Sequence, residues 1–177
     1  MSNFYRTFAP QRFLIMKKII VLAEEGERAL IDKLRDEMGI DFTDLPIVYT
    51  GVGAINIIRT LTNVPKDTEV YNIGYAGSAN FNIGSWVEVT EARLNHPNVT
   101  YPEPVLSLSP AVTPDSIRKA ICYTNTDFVL QSKYQDCVFD MELAFIASLG
   151  FTQLHSIKYV SDNLSLHAYH ELTEGVQ

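Results

Sequence analysis

The chain has only two cysteines, one tryptophan and fourteen basic residues in 177, set against twenty-one acidic residues for a net charge of −7. Each shortage excludes something. Without a basic stripe to neutralise phosphates, nucleic-acid binding is excluded as the main activity. Two cysteines, Cys122 and Cys137, are too few for a disulfide framework. In their apolar settings they read as a reduced, buried pair, as expected of a cytoplasmic protein. The four histidines (His96, His155, His167 and His170) show no recognised zinc spacing, although His167 and His170 lie three apart. No metal or cofactor is therefore expected. No apolar run reaches membrane-spanning length. There is no internal repeat or low-complexity tract, and no glycine-rich turn matches a dinucleotide fingerprint or a phosphate-binding loop.

What is present is an ordinary globular mixture, 46% apolar and 20% charged, long enough for one domain with a full core. Residues 1–15 carry Arg6 and Arg12 but no apolar stretch of the signal-peptide kind. Met16-Lys17-Lys18 then leads into Ile19-Ile20-Val21-Leu22. The expected organisation is an N-terminal extension over 1–15 and a single domain over 16–177.

Along that domain, strands and helices alternate. Lys18–Ala23 is a continuous apolar run, as expected of a strand buried on both faces. Gly26–Met38 places Ala29, Leu30, Leu34 and Met38 at helical spacing and ends at Gly39. Ile47–Tyr49 reads as a strand and Ala54–Leu61 as a helix. Val70–Ile73 is a strand running into a glycine turn, and Trp86–Val89 another strand. Residues 94–113, with four of the eight prolines, read as a loop. Thr113-Pro114-Asp115 reads as the start of a short helix with Thr113 as N-cap. Ala120–Tyr123, Cys137–Phe139 and Ser156–Val160 are further strands, and Met141–Leu149 is a helix closed by Gly150. This order predicts a three-layer α/β/α domain around a mixed, largely parallel sheet.

Three acidic clusters follow separate strands: Glu24-Glu25-Gly26-Glu27, Asp140-Met141-Glu142 and Ser161-Asp162. Open α/β sheets place ligand chemistry at the carboxyl ends of their strands. Singly, Glu27 reads as a first-turn surface residue, Glu142 as a helix-dipole partner and Asp162 as a helix cap. Jointly, they point to acid–base work on a hydroxyl-rich ligand. Thr50-Gly51-Val52-Gly53 and Gly74-Tyr75-Ala76-Gly77-Ser78 would bring backbone N–H groups close to such a ligand.

With these segments in order, the chain resembles the nucleoside phosphorylase/nucleosidase superfamily, closest to a shortened methylthioadenosine/S-adenosylhomocysteine nucleosidase. The resemblance covers about Met16 to His170. Asn72-Ile73-Gly74-Tyr75-Ala76-Gly77 is similar to the family's Asn-Thr-Gly-Ser-Ala-Gly. Ile83-Gly84-Ser85-Trp86-Val87, Glu91-Ala92-Arg93, Thr126-Asp127-Phe128-Val129, Asp140-Met141-Glu142 and Ser161-Asp162 follow in family order. The chain departs from the pattern in a shorter stretch between Arg93 and Phe128, in Tyr75 where a small residue is usual, and in Lys158 where arginine is usual.

The resemblance implies hydrolysis of a purine N-glycosidic bond by a homodimer, with no cofactor and no membrane or nucleic-acid partner. It implies Asp162 as the acid at the purine and Glu27 as the base for water. Glu142 and Met141 would hold the ribose, Phe128 and Val129 the base, and Ser161, Tyr75, Ala76 and Gly77 would complete the pocket. Two other readings stay open on the sequence. One is a phosphate-dependent phosphorylase drawing on Arg28, Arg59 or a neighbouring subunit, and the other is a shortened, inactive nucleoside-binding protein.

Overall fold

The first strand sets the pattern for the core. In β1 (Lys18–Leu22) Ile19 to Leu22 are completely buried, and the strand has a parallel neighbour on each side, β2 (Ile47–Tyr49) and β3 (Glu69–Gly77). The structure, a computed structural model, describes residues 17–95, 105–110 and 112–175. The extension expected over residues 1–15, and residues 96–104 and 111 of the proline-rich stretch, lie outside the described residues. Among the described residues no helix is long and apolar enough to cross a membrane.

After β1 a 3-10 turn (Glu25–Arg28) leads into α1 (Ala29–Met38). This helix buries Leu30, Ile31 and Leu34 against Ile20, Leu22, Ile73 and Ile157 of the sheet. It stops at Gly39, whose φ of +70° suits a residue without Cβ and whose N–H donates to the Arg35 carbonyl. On the other side, α2 (Ala54–Leu61) and α3 (Leu143–Ser148) bury Ile57, Leu61, Leu143 and Ile146 in a second apolar cluster.

The remaining strands are β4 (Trp86–Leu94), β5 (Val105–Ser107), β6 (Arg118–Thr124), β7 (Cys137–Asp140) and β8 (Gln153–Asp162), followed by α4 (Leu166–Glu174). The sheet is mixed. Pairs β1/β2, β1/β3, β3/β8, β4/β6 and β6/β7 are parallel, and β3/β7, β4/β5 and β4/β8 antiparallel. The mixed central sheet expected between helices is present, but it closes on itself. Strand β8 pairs with both β3 and β4, and β7 returns to β3, so β3, β8, β4, β6 and β7 close a barrel-like ring. Closure of this kind removes sheet edges.

Three local expectations also fail. Within residues 94–113, read as a loop, Val105–Ser107 form β5, antiparallel to β4. The glycine segment after Ile73 is not a turn, because β3 continues through it to Gly77 and stays paired with β8. Thr113 does not start a helix. Its N–H and its hydroxyl both donate to the buried Glu88 carboxylate, Ile117 closes a turn onto Pro114, and β6 begins at Arg118.

Candidate active site

The carboxyl-terminal ends of β1, β3, β7 and β8 open onto one cavity of about 510 Å³. Glu27, Glu142 and Asp162 all line it, with Tyr75, Ala76, Gly77, Phe128, Met141 and Ser161. Val129 lies instead in a small adjoining recess of about 30 Å³ that shares Phe128, Met141 and Asp162 with the main cavity. Arg28 and Arg59 are exposed and outside the lining.

Glu27 folds back over the turn that carries it. Its Oε2 accepts the N–H groups of Ala23 (2.6 Å) and Glu24 (3.3 Å), and Oε1 accepts that of Tyr75 (3.1 Å) on β3. Burial raises its carboxyl above the ordinary value, opposed by the Lys158 charge and by those N–H groups. Glu142 stands at the head of α3 and accepts from the N–H of Met141 (3.2 Å) and of Gly53 (3.4 Å). Burial first, then the charge of Asp140, push it up to about 8, with Glu27 adding and Lys158 opposing.

Asp162 ends β8 beside a bulge, where Ala76 opposes Val160 but Gly77 opposes Asp162. Bulges re-aim side chains next to sites, and this one leaves Ser161 and Asp162 both buried. Asp162 Oδ1 accepts the N–H groups of Leu164 (2.8 Å) and Ser165 (3.3 Å), and Oδ2 accepts the Ser161 hydroxyl (2.7 Å). The helix that follows is capped by the Ser165 side chain, which accepts from Ala168 N–H at 3.4 Å. Asp162 is therefore not its cap.

The two glycines of β3 make room for two of these carboxylates. A Cβ on Gly74 would sit 2.6 Å from Glu27 Oε1, and one on Gly77 would sit 2.8 Å from Asp162 Oδ1. Neither oxygen can move cheaply, since backbone N–H groups hold both. Gly77→Ala is expected to displace Asp162 and to reduce any turnover by about 10²-fold, the usual effect of a misplacement near 1 Å. Comparing kcat with the unfolding midpoint of the variant checks this, because a folded variant with unchanged kcat would contradict it.

The suppressed ionisation of Glu142 makes stability depend on pH. Its folded value near 8 exceeds the ordinary 4.5. Its contribution to stability is fully present below about pH 4.5 and is lost as pH rises toward 8, with a slope approaching about 1.4 kcal/mol per pH unit. Glu27 acts in the same direction. Thermal unfolding of Glu142→Gln between pH 5 and 8.5 is expected to show a flatter decline than the parent, with the variant more stable at pH 8.

Several lining residues were not assigned to the site from the sequence, although Glu24, Gly26, Val52 and Asp140 belong to segments noted there. Tyr169, His170 and Thr173 come from α4, and Ala23, Glu24, Gly26, Val52, Phe139 and Asp140 from other elements. Tyr169 makes edge contacts with Phe128 at 5.8 Å and Tyr75 at 6.3 Å, joining the two aromatic sides of the cavity. The one available signal was Ser165 as an N-cap followed by Leu166, Tyr169 and Thr173 at helical spacing. Asp140, in the cavity wall, forms a fully buried ion pair with Lys158, which lies outside the lining. Among the described residues no cluster of three or more His, Cys, Asp or Glu side chains could hold a metal ion.

No protein-family model matches the chain, and a search of curated proteins finds no match. Solved structures do match. The MTAN of Chlamydia trachomatis superposes with a TM-score of 0.65 at 18% identity, over 90% of this chain and 94% of that one. The 5'-methylthioadenosine/S-adenosylhomocysteine nucleosidase of S. pneumoniae, solved with a transition-state inhibitor, gives 0.67 at 16% identity over 90% and 93%. The futalosine hydrolase of Helicobacter pylori gives 0.64 at 15% identity over 90% and 91%. The fold of this chain is the one these nucleosidase structures share.

Proposed function

We propose that the protein is a hydrolase of the purine nucleoside N-glycosidic bond, acting on nucleosides of the methylthioadenosine or S-adenosylhomocysteine type. One observation carries the reading. Three carboxylates from three separate elements converge on a cavity whose lining, among the described residues, includes acids but no lysine or arginine. Such a cavity suits a transition state with positive charge on the ribose. It disfavours a phosphate dianion, which needs cationic partners, so hydrolysis is preferred to phosphorolysis.

In this reading Asp162 delivers a proton to the purine, a step worth about 10²–10⁴-fold. Its Oδ1 is committed to backbone N–H groups, which leaves Oδ2, beside the Ser161 hydroxyl, for the base. Glu142 takes the ribose hydroxyls with Met141 against the sugar. Glu27, its basicity raised by burial, orients and deprotonates water. Phe128 stacks on the base while Val129 backbone groups read its edge, and Tyr75, Ala76, Gly77 and Ser161 shape the wall.

A homodimer in the cytoplasm completes the proposal. The α2 face leaves Ile55 73% and Ile58 50% exposed, and nearby Val52, also exposed, lines the cavity, so a second copy seated there would reach the site. Light scattering at micromolar concentration tests it, with a monomer mass as the contrary result. The free, buried Cys122 and Cys137 suit a reducing compartment.

The activity test is chromatography for free base after incubation with methylthioadenosine, S-adenosylhomocysteine, adenosine and inosine, with and without phosphate. Base release independent of phosphate supports the hydrolase. Release only with phosphate favours a phosphorylase, and tight binding without release favours a nucleoside-binding protein.

A further inference from the structure

Among the described residues, Lys158 heads the largest side chains that are fully buried. Its Nζ lies 2.7 Å from Asp140 Oδ2, with the two side chains 1% and 0% exposed. Lysine is almost never buried unless paired. A buried ion pair is also no better for stability than well-packed apolar residues of similar volume. Stability alone therefore does not account for the pair.

Its placement does. Lys158 stands on β8, four residues before Asp162, and Asp140 ends β7, two residues before Glu142. Strands β7 and β8 share no ladder, so the ion pair crosses the interior of the strand ring and ties together the elements that deliver two site carboxylates. Asp140 also accepts the Thr124 hydroxyl (2.6 Å) and the Leu143 N–H (3.0 Å), and Thr124 Oγ1 accepts the Ala144 N–H (2.9 Å). The first turn of α3, headed by Glu142, is thereby pinned to Asp140.

We propose that Lys158 is a positioning residue: bridged to Asp140 across the ring, it fixes Glu142 in the cavity that Asp162 also lines and sets the charge that Glu142 feels. The inference rests on the reading of Glu142 as a site carboxylate. The groups that interact electrostatically with Glu142 are Asp140 from β7, Lys158 from β8, Glu27 from the turn after β1, Cys122 from β6 and Tyr169 from α4, and Glu24, Asp162 and His170 line the same cavity. Of these, Asp140 opposes ionisation of Glu142 and Lys158 favours it. The two halves of one ion pair thus act on Glu142 with opposite sign.

That opposition gives the test. The full chain is labelled with ¹³C at the glutamate carboxyls and titrated by NMR, with Glu142→Gln identifying the Glu142 signal. Asp140→Asn is expected to move the Glu142 midpoint to lower pH by about one pH unit or more, and Lys158→Met to move it up by a similar amount. Lys158→Arg keeps the charge and leaves the midpoint near that of the parent. The double variant Asp140→Asn/Lys158→Met leaves no unpaired buried charge and falls between the two singles. A bridge that served only the fold would move neither midpoint, or both the same way, and either result overturns the proposal. If Lys158→Met does not fold, Asp140→Asn decides alone, since an unchanged or raised midpoint refutes the assignment. The titration needs no turnover, so a parent protein without base release would refute the nucleosidase reading and leave this result to be judged separately. In an active protein, the pH profile of kcat/KM follows the same two opposite displacements.

Discussion

Replacing Asp162 by asparagine is expected to lower kcat by about 10²–10⁴-fold while leaving nucleoside binding and the unfolding midpoint nearly unchanged. The geometry separates these effects. The Leu164 and Ser165 N–H groups bond to Oδ1, an acceptor that the amide retains. The amide nitrogen takes the place of Oδ2, beside the Ser161 hydroxyl, and can still donate a hydrogen bond to a purine nitrogen. What it lacks is a proton to transfer. If Asp162 served only the turn after β8, the substitution would change stability by roughly a few tenths of a kcal/mol and leave activity alone. A variant with parental kcat would end the assignment of Asp162 as the acid.

Glu27→Gln is expected to have an effect of similar size with a different signature. The amide oxygen can keep the contacts from Ala23 and Glu24 or the one from Tyr75, but the side chain can no longer deprotonate water, so kcat falls by about 10²–10⁴-fold. Stability moves the other way. Burial raises the Glu27 pKa and so resists its ionisation, which makes the parent lose stability as pH rises above the ordinary carboxylate range, and the variant does not. Kinetics and thermal unfolding at pH 8 therefore change in opposite senses. The variant also separates hydrolysis from phosphorolysis. Removing a negative charge from a phosphate cavity would raise phosphate-dependent turnover, whereas the hydrolase loses activity with or without phosphate.

Much of the fold was legible because it is local. The apolar run of β1, the helical spacing of Leu30 and Leu34, and the ends of β2 and α2 are visible in short windows, and the structure has them there. The convergence of Glu27, Glu142 and Asp162 was legible for a related reason, since each follows a strand and strand ends gather at one edge of a sheet.

The rest depends on partners distant in sequence. Gly74 and Gly77 read as a turn because glycine usually breaks a strand, but here β3 carries glycine where the Glu27 and Asp162 carboxylates press against it. Thr113 has the makings of a helix cap, and the buried Glu88 on β4 claims its N–H and hydroxyl instead. Ring closure depends on β8 reaching both β3 and β4, which no local pattern encodes. Lys158 stands out in the sequence only as a lysine where arginine is usual, and its placement opposite Asp140 shows why it is buried.

The claim that this acidic cavity hydrolyses a purine N-glycosidic bond is tested most directly by turnover of methylthioadenosine in ¹⁸O-enriched water, with mass spectrometry of the sugar product. Hydrolysis predicts adenine release at the same rate with and without phosphate, and a free sugar carrying one ¹⁸O from solvent at its anomeric carbon. Release that requires phosphate, giving a sugar 1-phosphate without solvent oxygen at that carbon, would contradict it, as would binding of the nucleoside with no adenine released.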